Sequence, residues 1–133
     1  MKRIQAIAVA AAALSTLALG GANKTVAASM TTATLKQYVA REAVAYGINP
    51  ALAECIVTHE SQWIPDKTGP ERIGASEGLW QIYLRVWKGI TKKQADDPVW
   101  STNWALTQIA DGHVGWWSTY SAKPYYCRDI PVR

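Results

Sequence analysis

The sequence predicts a mainly α domain carrying one small loop or β-hairpin region. Three observations carry that expectation. Apolar residues recur at helical spacing through most of the chain after residue 29. Helix starts are marked by Thr34 and by the pairs Asn49-Pro50 and Asp97-Pro98, each pair a capping side chain followed by a proline suited to the first helical position. Proline and glycine are instead crowded into residues 63–77, where Pro65, Gly69, Pro70 and Gly74 punctuate the chain.

The first 28 residues read as a secretory signal peptide. Lys2 and Arg3 form a positive start, Ile4 to Leu19 an Ala-rich apolar stretch, and Val26-Ala27-Ala28 a small-residue cleavage site, with Gly20-Gly21-Ala22 as the alternative. The competing reading is an uncleaved membrane anchor. Ile4–Ala22 barely reaches the roughly 20 apolar residues that a span requires, and alanine is weakly hydrophobic. Residues 29–133 are then the working domain, secreted, periplasmic or associated with the cell wall. After cleavage no stable membrane insertion is expected.

The first helix is expected from an N-cap at Thr34 to Tyr46, its apolar face formed by Leu35, Tyr38, Val39, Ala43 and Tyr46, with Gly47 as its stop. The second runs from Pro50 to about Gln62, with Leu52, Cys55, Ile56 and His59 on one face. Trp63 to Glu77 is a loop or small hairpin. Leu79 to Trp87 is too short for periodicity to decide between helix and strand. Thr91-Lys92-Lys93-Gln94 fits a capping box. Asp97-Pro98 opens a helix to about Asp111, stopped by Gly112, and His113 to Tyr120 is expected to form a last short helix.

The net charge of +4 is largely a property of the leader. Lys2, Arg3 and Lys24 precede Ser29, whereas all ten acids follow it, so eleven cations face ten anions in the remainder, a charge of +1. So balanced a chain gives no electrostatic case for nucleic acid. The two cysteines, Cys55 and Cys127, are expected to pair in an exported protein, stapling the second helix to the C-terminal segment. Two free thiols are the competing state.

Metal chemistry has little support. His59-Glu60 begins an H-E-x-x-H pattern, but its fifth position is Trp63, and His113 is the one other histidine. The cysteines lack zinc-finger spacing, no Ser-His-Asp arrangement stands out, and no phosphate-binding glycine loop is present. No metal or organic cofactor is expected.

The most informative residues are the run His59-Glu60-Ser61-Gln62-Trp63-Ile64-Pro65 and, after a gap, Gly74-Ala75-Ser76-Glu77-Gly78-Leu79-Trp80-Gln81-Ile82. They resemble the lysozyme-like superfamily, in particular the goose-type lysozymes and soluble lytic transglycosylases, whose pattern reads E-S-x-W-x-P followed by G-A-S-G-L-x-Q-I. The resemblance covers roughly Leu35 to Tyr120. It implies a lysozyme-like fold with a small loop or β-hairpin region flanking the active-site cleft, and it implies that Leu79 to Trp87 is helical. The implied activity is cleavage of the β-1,4 bond between N-acetylmuramic acid and N-acetylglucosamine in peptidoglycan. The implied partner is a glycan strand, met by a monomer.

On that resemblance Glu60 is the catalytic acid. Breaking a glycosidic bond needs a proton donor, and a carboxyl donates near neutral pH when apolar surroundings and a helix C-terminus raise its pKa. Ser61 is placed to orient Glu60, with a local bond to the helix end as the alternative. Ser76 matches the serine of the glycine-rich turn and favours transglycosylation, in which the sugar's own 6-hydroxyl closes a 1,6-anhydro ring. Gln81 is expected in the cleft near the acid, and Tyr120 in place of the cleft tyrosine that the family carries in a Tyr-Asn-Ala-Gly motif. Here Trp117-Ser118-Thr119-Tyr120 stands instead. Asp66, Glu71 and Glu77 are candidate second acids, each more simply read as a solvated loop residue.

Seven tryptophans and no phenylalanine remain to be placed. Indole stacks on the apolar faces of sugars and donates one hydrogen bond. Trp80 and one of Trp116 and Trp117 are expected to line the groove, with Trp87 and Trp104 in the core. Two other functions stay open on the sequence: a hydrolytic lysozyme on the same fold, and a non-catalytic wall-binding protein.

Overall fold

The computed structural model describes residues 30–70 and 75–133. The expected signal peptide, Glu71 and Gly74 lie outside them. The described chain is mainly helical, with one two-stranded antiparallel hairpin. In order it comprises α1 (Thr32–Ala45), α2 (Pro50–Ser61), β1 (Ser76–Glu77), β2 (Ile82–Tyr83), α3 (Lys92–Asp96), α4 (Pro98–Ala110), a 3-10 turn (Val114–Trp116) and α5 (Ser118–Ser121). Among the described residues no helix is long and apolar enough to cross a membrane.

The long helices form where capping and apolar periodicity agree. α1 begins three residues earlier than expected, because Thr31 and not Thr34 is its N-cap: the Thr31 hydroxyl accepts the Thr34 N–H at 3.2 Å. Thr31, Thr32 and Thr34 are near-equivalent capping residues, and only packing chooses among them. Its buried face is Leu35, Val39 and Ala43, one residue per turn. At α2, Asn49 caps Ala51 N–H, Pro50 opens the helix, and Leu52, Ala53, Ile56 and Val57 are buried. His59 is off that face, exposed and stacked on Tyr126 with ring centroids 4.1 Å apart. At α4, the Asp97 carboxylate accepts from both Val99 and Trp100 N–H, and Thr102, Ala105, Leu106 and Ile109 pack inward. The expected capping box at Thr91 and Gln94 is present in full.

The segment after Gly78 departs from the helix implied for Leu79 to Trp87. It turns through Gly78–Gln81 and returns as β2, pairing Ser76 with Tyr83 and Glu77 with Ile82. Two residues enforce the reversal. Gly78 has φ +80° and Gln81 has φ +49°, both outside the right-handed helical region. Gly78 also passes so close to α3 that a Cβ there would lie 1.8 Å from the Ala95 carbonyl oxygen. The hairpin is anchored to α3 by charge: Glu77, only 3% exposed, receives Lys92 Nζ at 2.6 Å and the Thr68 hydroxyl at 2.8 Å. Lys92 also reaches Asp96 at 2.8 Å, and Asp96 followed by Glu77 raises the Lys92 pKa.

Cys55 and Cys127 form the expected disulfide, with Cα atoms 5.8 Å apart. It ties the middle of α2 to the C-terminal segment across 72 positions of sequence. A cross-link of that span removes about 4 kcal/mol of unfolded-state entropy in the chain-entropy model.

Reduction of this bond is accordingly expected to lower the melting temperature by about 10 °C or more. Differential scanning calorimetry with and without a dithiol reductant checks this, and an unchanged midpoint would contradict it. Gly78→Ala is expected to cost about 2–4 kcal/mol, since it combines a positive φ with a backbone clash that no side-chain rotation relieves. A urea midpoint equal to that of the unsubstituted protein would refute the close approach.

Candidate functional site

A cleft of about 440 Å³ opens beside the C-terminal end of α2. Glu60, the penultimate residue of that helix, lines it. On one side stand Lys67, Pro70, Ser76, Gln81, Ile82 and Tyr83, contributed by the loop and hairpin. On the other stand Trp87, Trp104, Trp116, Trp117 and Ser118. The cleft is thus bounded by a polar hairpin wall and an aromatic wall, with a carboxyl between them.

α2 ends sharply below Glu60 because Gln62 and Trp63 both take positive φ, 54° and 67°. The turn carries Trp63 back over the helix, where its indole N–H donates to the Thr58 hydroxyl at 3.0 Å. Trp63 is thereby buried in the core, which accounts for its place in the run after Glu60. Ser61 is fully buried and donates to the Val57 carbonyl at 3.2 Å. This is the local alternative: its hydroxyl is bonded within the helix.

Glu60 is partly withdrawn from solvent, and burial raises its pKa above the ordinary carboxyl value. The Thr119 hydroxyl, which donates to Oε1 at 3.1 Å, the Thr119 backbone N–H and the more distant Lys67 charge pull in the opposite direction. Desolvation is the largest of these influences.

Gln81 and Ser76 both reach the cleft. The Gln81 amide nitrogen is already engaged, donating to the carbonyls of Lys67 at 2.8 Å and Gly78 at 2.9 Å. It clips the hairpin turn to the preceding loop, and Gly69 packs closely beside it: a Cβ there would lie 2.8 Å from the Gln81 side-chain amide oxygen and 3.1 Å from the Ser76 Cβ.

The tryptophans are distributed differently from the expectation. Trp80 is 0% exposed and belongs to the core, its indole N–H bonded to Thr102 at 3.0 Å. It faces α4 because the Gly78–Gln81 turn directs it inward, so it is not a groove residue. Trp87 and Trp104, expected in the core, are partly buried against it and also line the cleft, packed edge-on against each other 5.4 Å apart. Trp117 spans both roles: buried, donating to the Trp80 carbonyl at 2.9 Å, and lining the cleft. Trp116 is 48% exposed, tilted against Trp87 and stacked flat on His113 at 4.1 Å. Tyr120 is half-buried against the core and does not line the cleft; Tyr83 is the tyrosine that does.

The candidate second acids separate. Glu77 is neither solvated nor in the cleft but buried in its ion pair with Lys92. Asp66 is exposed and outside the cleft lining. Among the described residues Glu60 is the carboxyl that lines the cleft, and no group of three or more His, Cys, Asp or Glu is placed to hold a metal.

Lys67, Tyr83 and Thr119 were not singled out from the sequence. Lys67 and Tyr83 sit in segments of ambiguous structure, and Thr119 comes to Glu60 from 59 positions away through the C-terminal fold. The one available signal was the Trp117–Tyr120 segment standing where a cleft motif was expected.

Compared with protein-family models, with curated proteins and with solved structures, the chain has no significant match.

The raised pKa of Glu60 has a consequence for stability. A carboxyl whose folded pKa lies above its unfolded value stabilises the fold at low pH, and that contribution is lost as pH rises through the folded pKa. At neutral pH an ionised Glu60 is therefore a net cost. Glu60→Gln keeps an acceptor for Thr119 and removes the charge, so it is expected to raise the melting temperature at pH 7. The gain is expected to vanish at acid pH, below the ordinary carboxyl pKa. Thermal melts of both proteins across pH check this; a constant difference at all pH values would contradict it.

Proposed function

We propose that this protein is a peptidoglycan lytic transglycosylase with a lysozyme-like fold, acting on the β-1,4 bond between N-acetylmuramic acid and N-acetylglucosamine. The observation that carries the reading is Glu60: a half-buried carboxyl with a raised pKa, at the end of an apolar helix, lining a cleft with an aromatic wall. Of the two segments that resemble the superfamily, Glu60 from the first and Ser76, Gln81 and Ile82 from the second line that cleft. Trp87, Trp104 and Trp116 supply the apolar faces against which pyranose rings stack.

In this mechanism the neutral Glu60 protonates the bridging oxygen as the glycosidic C1–O bond breaks, and positive charge develops on the muramic acid ring. The carboxylate then takes the proton of the 6-hydroxyl while that oxygen bonds to C1. The proton lost in the first step is regained in the second, so one carboxyl completes the cycle. The single cleft carboxyl among the described residues, with Glu77 committed to Lys92, favours this route over one that needs a second acid. Ser76 on the hairpin wall agrees with it. Such a substrate calls for a protein outside the cytoplasm, secreted or held at the wall, in keeping with the expected signal peptide.

Glu60→Gln is expected to abolish lysis of purified peptidoglycan, by about 10³-fold or more, without changing the circular dichroism. Mass spectrometry of wild-type products is expected to show anhydro-muropeptides, about 18 Da lighter than hydrolysis products. Reducing-end products alone would make the protein a hydrolysing lysozyme. Wall binding with no cleavage, or a fully active Glu60→Gln, would reject the enzyme altogether. Because the acid must carry its proton, activity is expected to fall as pH rises through the raised pKa of Glu60.

A further inference from the structure

The C-terminal segment does more than close the fold, because it brings one polar side chain to the acid. Thr119 is the first residue after Ser118 in α5, far from α2 in sequence, yet its hydroxyl donates to Glu60 Oε1 at 3.1 Å. Glu60 Oε2 accepts no side-chain hydrogen bond from the described residues, and the Thr119 backbone N–H acts on the same carboxyl. The two carboxyl oxygens are therefore unlike: Oε1 holds the Thr119 hydroxyl, whereas Oε2 holds no side chain of the described residues.

Thr119 is itself held from both sides. Its carbonyl accepts the Cys127 N–H at 3.1 Å, and Cys127 is covalently joined to Cys55, five residues before Glu60 on the same helix. Glu60, α2, the disulfide, Cys127 and Thr119 thus form a closed circuit. The arrangement requires the staple to reach α2 where it does, little more than a turn from the acid.

We propose that Thr119 is the positioning residue for Glu60, its hydroxyl tying Oε1 so that Oε2 is the oxygen that exchanges the proton in the cleft. The inference rests on the reading of Glu60 as the acid. A hydroxyl donated to Oε1 suits an ionised carboxylate, and it suits an acid protonated on Oε2; it opposes protonation on Oε1. The other titratable groups that line the cleft with Glu60 are the Lys67 ammonium, which also favours the ionised form, and the Tyr83 phenol. Thr119 acts on the carboxyl by a direct bond, Lys67 through its charge.

The test compares Thr119→Val, Thr119→Ala and Thr119→Ser in the full, oxidised chain. Glu60 is titrated by carbon NMR of side-chain-labelled glutamate, assigned with Glu60→Gln, and lysis is followed across pH in parallel. Thr119→Val is expected to raise the Glu60 titration midpoint by about half to one pH unit. The alkaline limb of lysis is expected to move by the same amount, with kcat reduced and KM little changed. Thr119→Ala is expected to do the same and serves if valine disturbs the fold; Thr119→Ser is expected to restore wild-type values. An unmoved midpoint in a folded Thr119→Val or Thr119→Ala, or a serine variant that fails to rescue, overturns the proposal. The titration needs no substrate, so it decides the role of Thr119 even if peptidoglycan is not cleaved. Lysis that depends on Glu60 but not on Thr119 rejects this inference alone.

Discussion

The molecule is organised around the backbone and side chain of Trp80. Its indole N–H is bonded to Thr102 inside the core, and its carbonyl receives the indole N–H of Trp117. One residue thereby joins three parts of the chain: the hairpin turn, α4, and the segment leading into α5. Truncating a buried indole of this kind costs about 3–5 kcal/mol, a large part of the stability of so small a domain. The cleft inherits its geometry from this junction. Trp117 faces Trp80 edge-on and Trp104 beyond it, so the aromatic wall is the outer surface of the same packing that fills the interior. The hairpin wall is held by the turn that delivers Trp80, and by the burial of Glu77 against Lys92.

Glu60 sits between opposed influences of unequal size. Burial favours its neutral form, whereas Thr119 and Lys67 favour its charge, and burial is the stronger. That balance distinguishes it from the other acids of the hairpin region. Glu77 is more deeply buried than Glu60, but a cation at 2.6 Å and a hydroxyl at 2.8 Å compensate its charge, and it is a structural anchor. Asp66 keeps its water. Three carboxyls within 18 positions of sequence are thus assigned different work by solvation and partners alone.

Much of the helical framework was legible because its signals are local. Asn49-Pro50, Asp97-Pro98 and the Thr91–Gln94 box each specify a helix start through side chains that bond their own backbone, and each start is where it was read. The Cys55–Cys127 pair was legible from two cysteines read together with the expected signal peptide. The reversal at Gly78 was not, because Leu79-Trp80-Gln81-Ile82 is apolar enough for a helix or a strand. What decides it is the close approach to the Ala95 carbonyl, a contact from another element. The same cause misplaced the tryptophans: one-residue changes of direction at Gly78 and Gln81 send Trp80 inward, and no periodicity records them. Of the site, Glu60, Ser76 and Gln81 were legible as a motif, and all three line one cleft. Thr119 was not, since only the folded C-terminal segment brings it there.

The absence of phenylalanine and the gathering of indoles also have an optical consequence. Trp80, Trp87, Trp104, Trp116 and Trp117 form a chain of neighbours with ring separations between 4.8 and 6.4 Å. At such distances excitation migrates between indoles before it is emitted, so the group glows as one collective chromophore. Its most exposed member, Trp116, lies flat on His113. Whatever enters the groove touches this chromophore directly. Intrinsic fluorescence is therefore expected to respond to a molecule bound in the groove, without any attached dye.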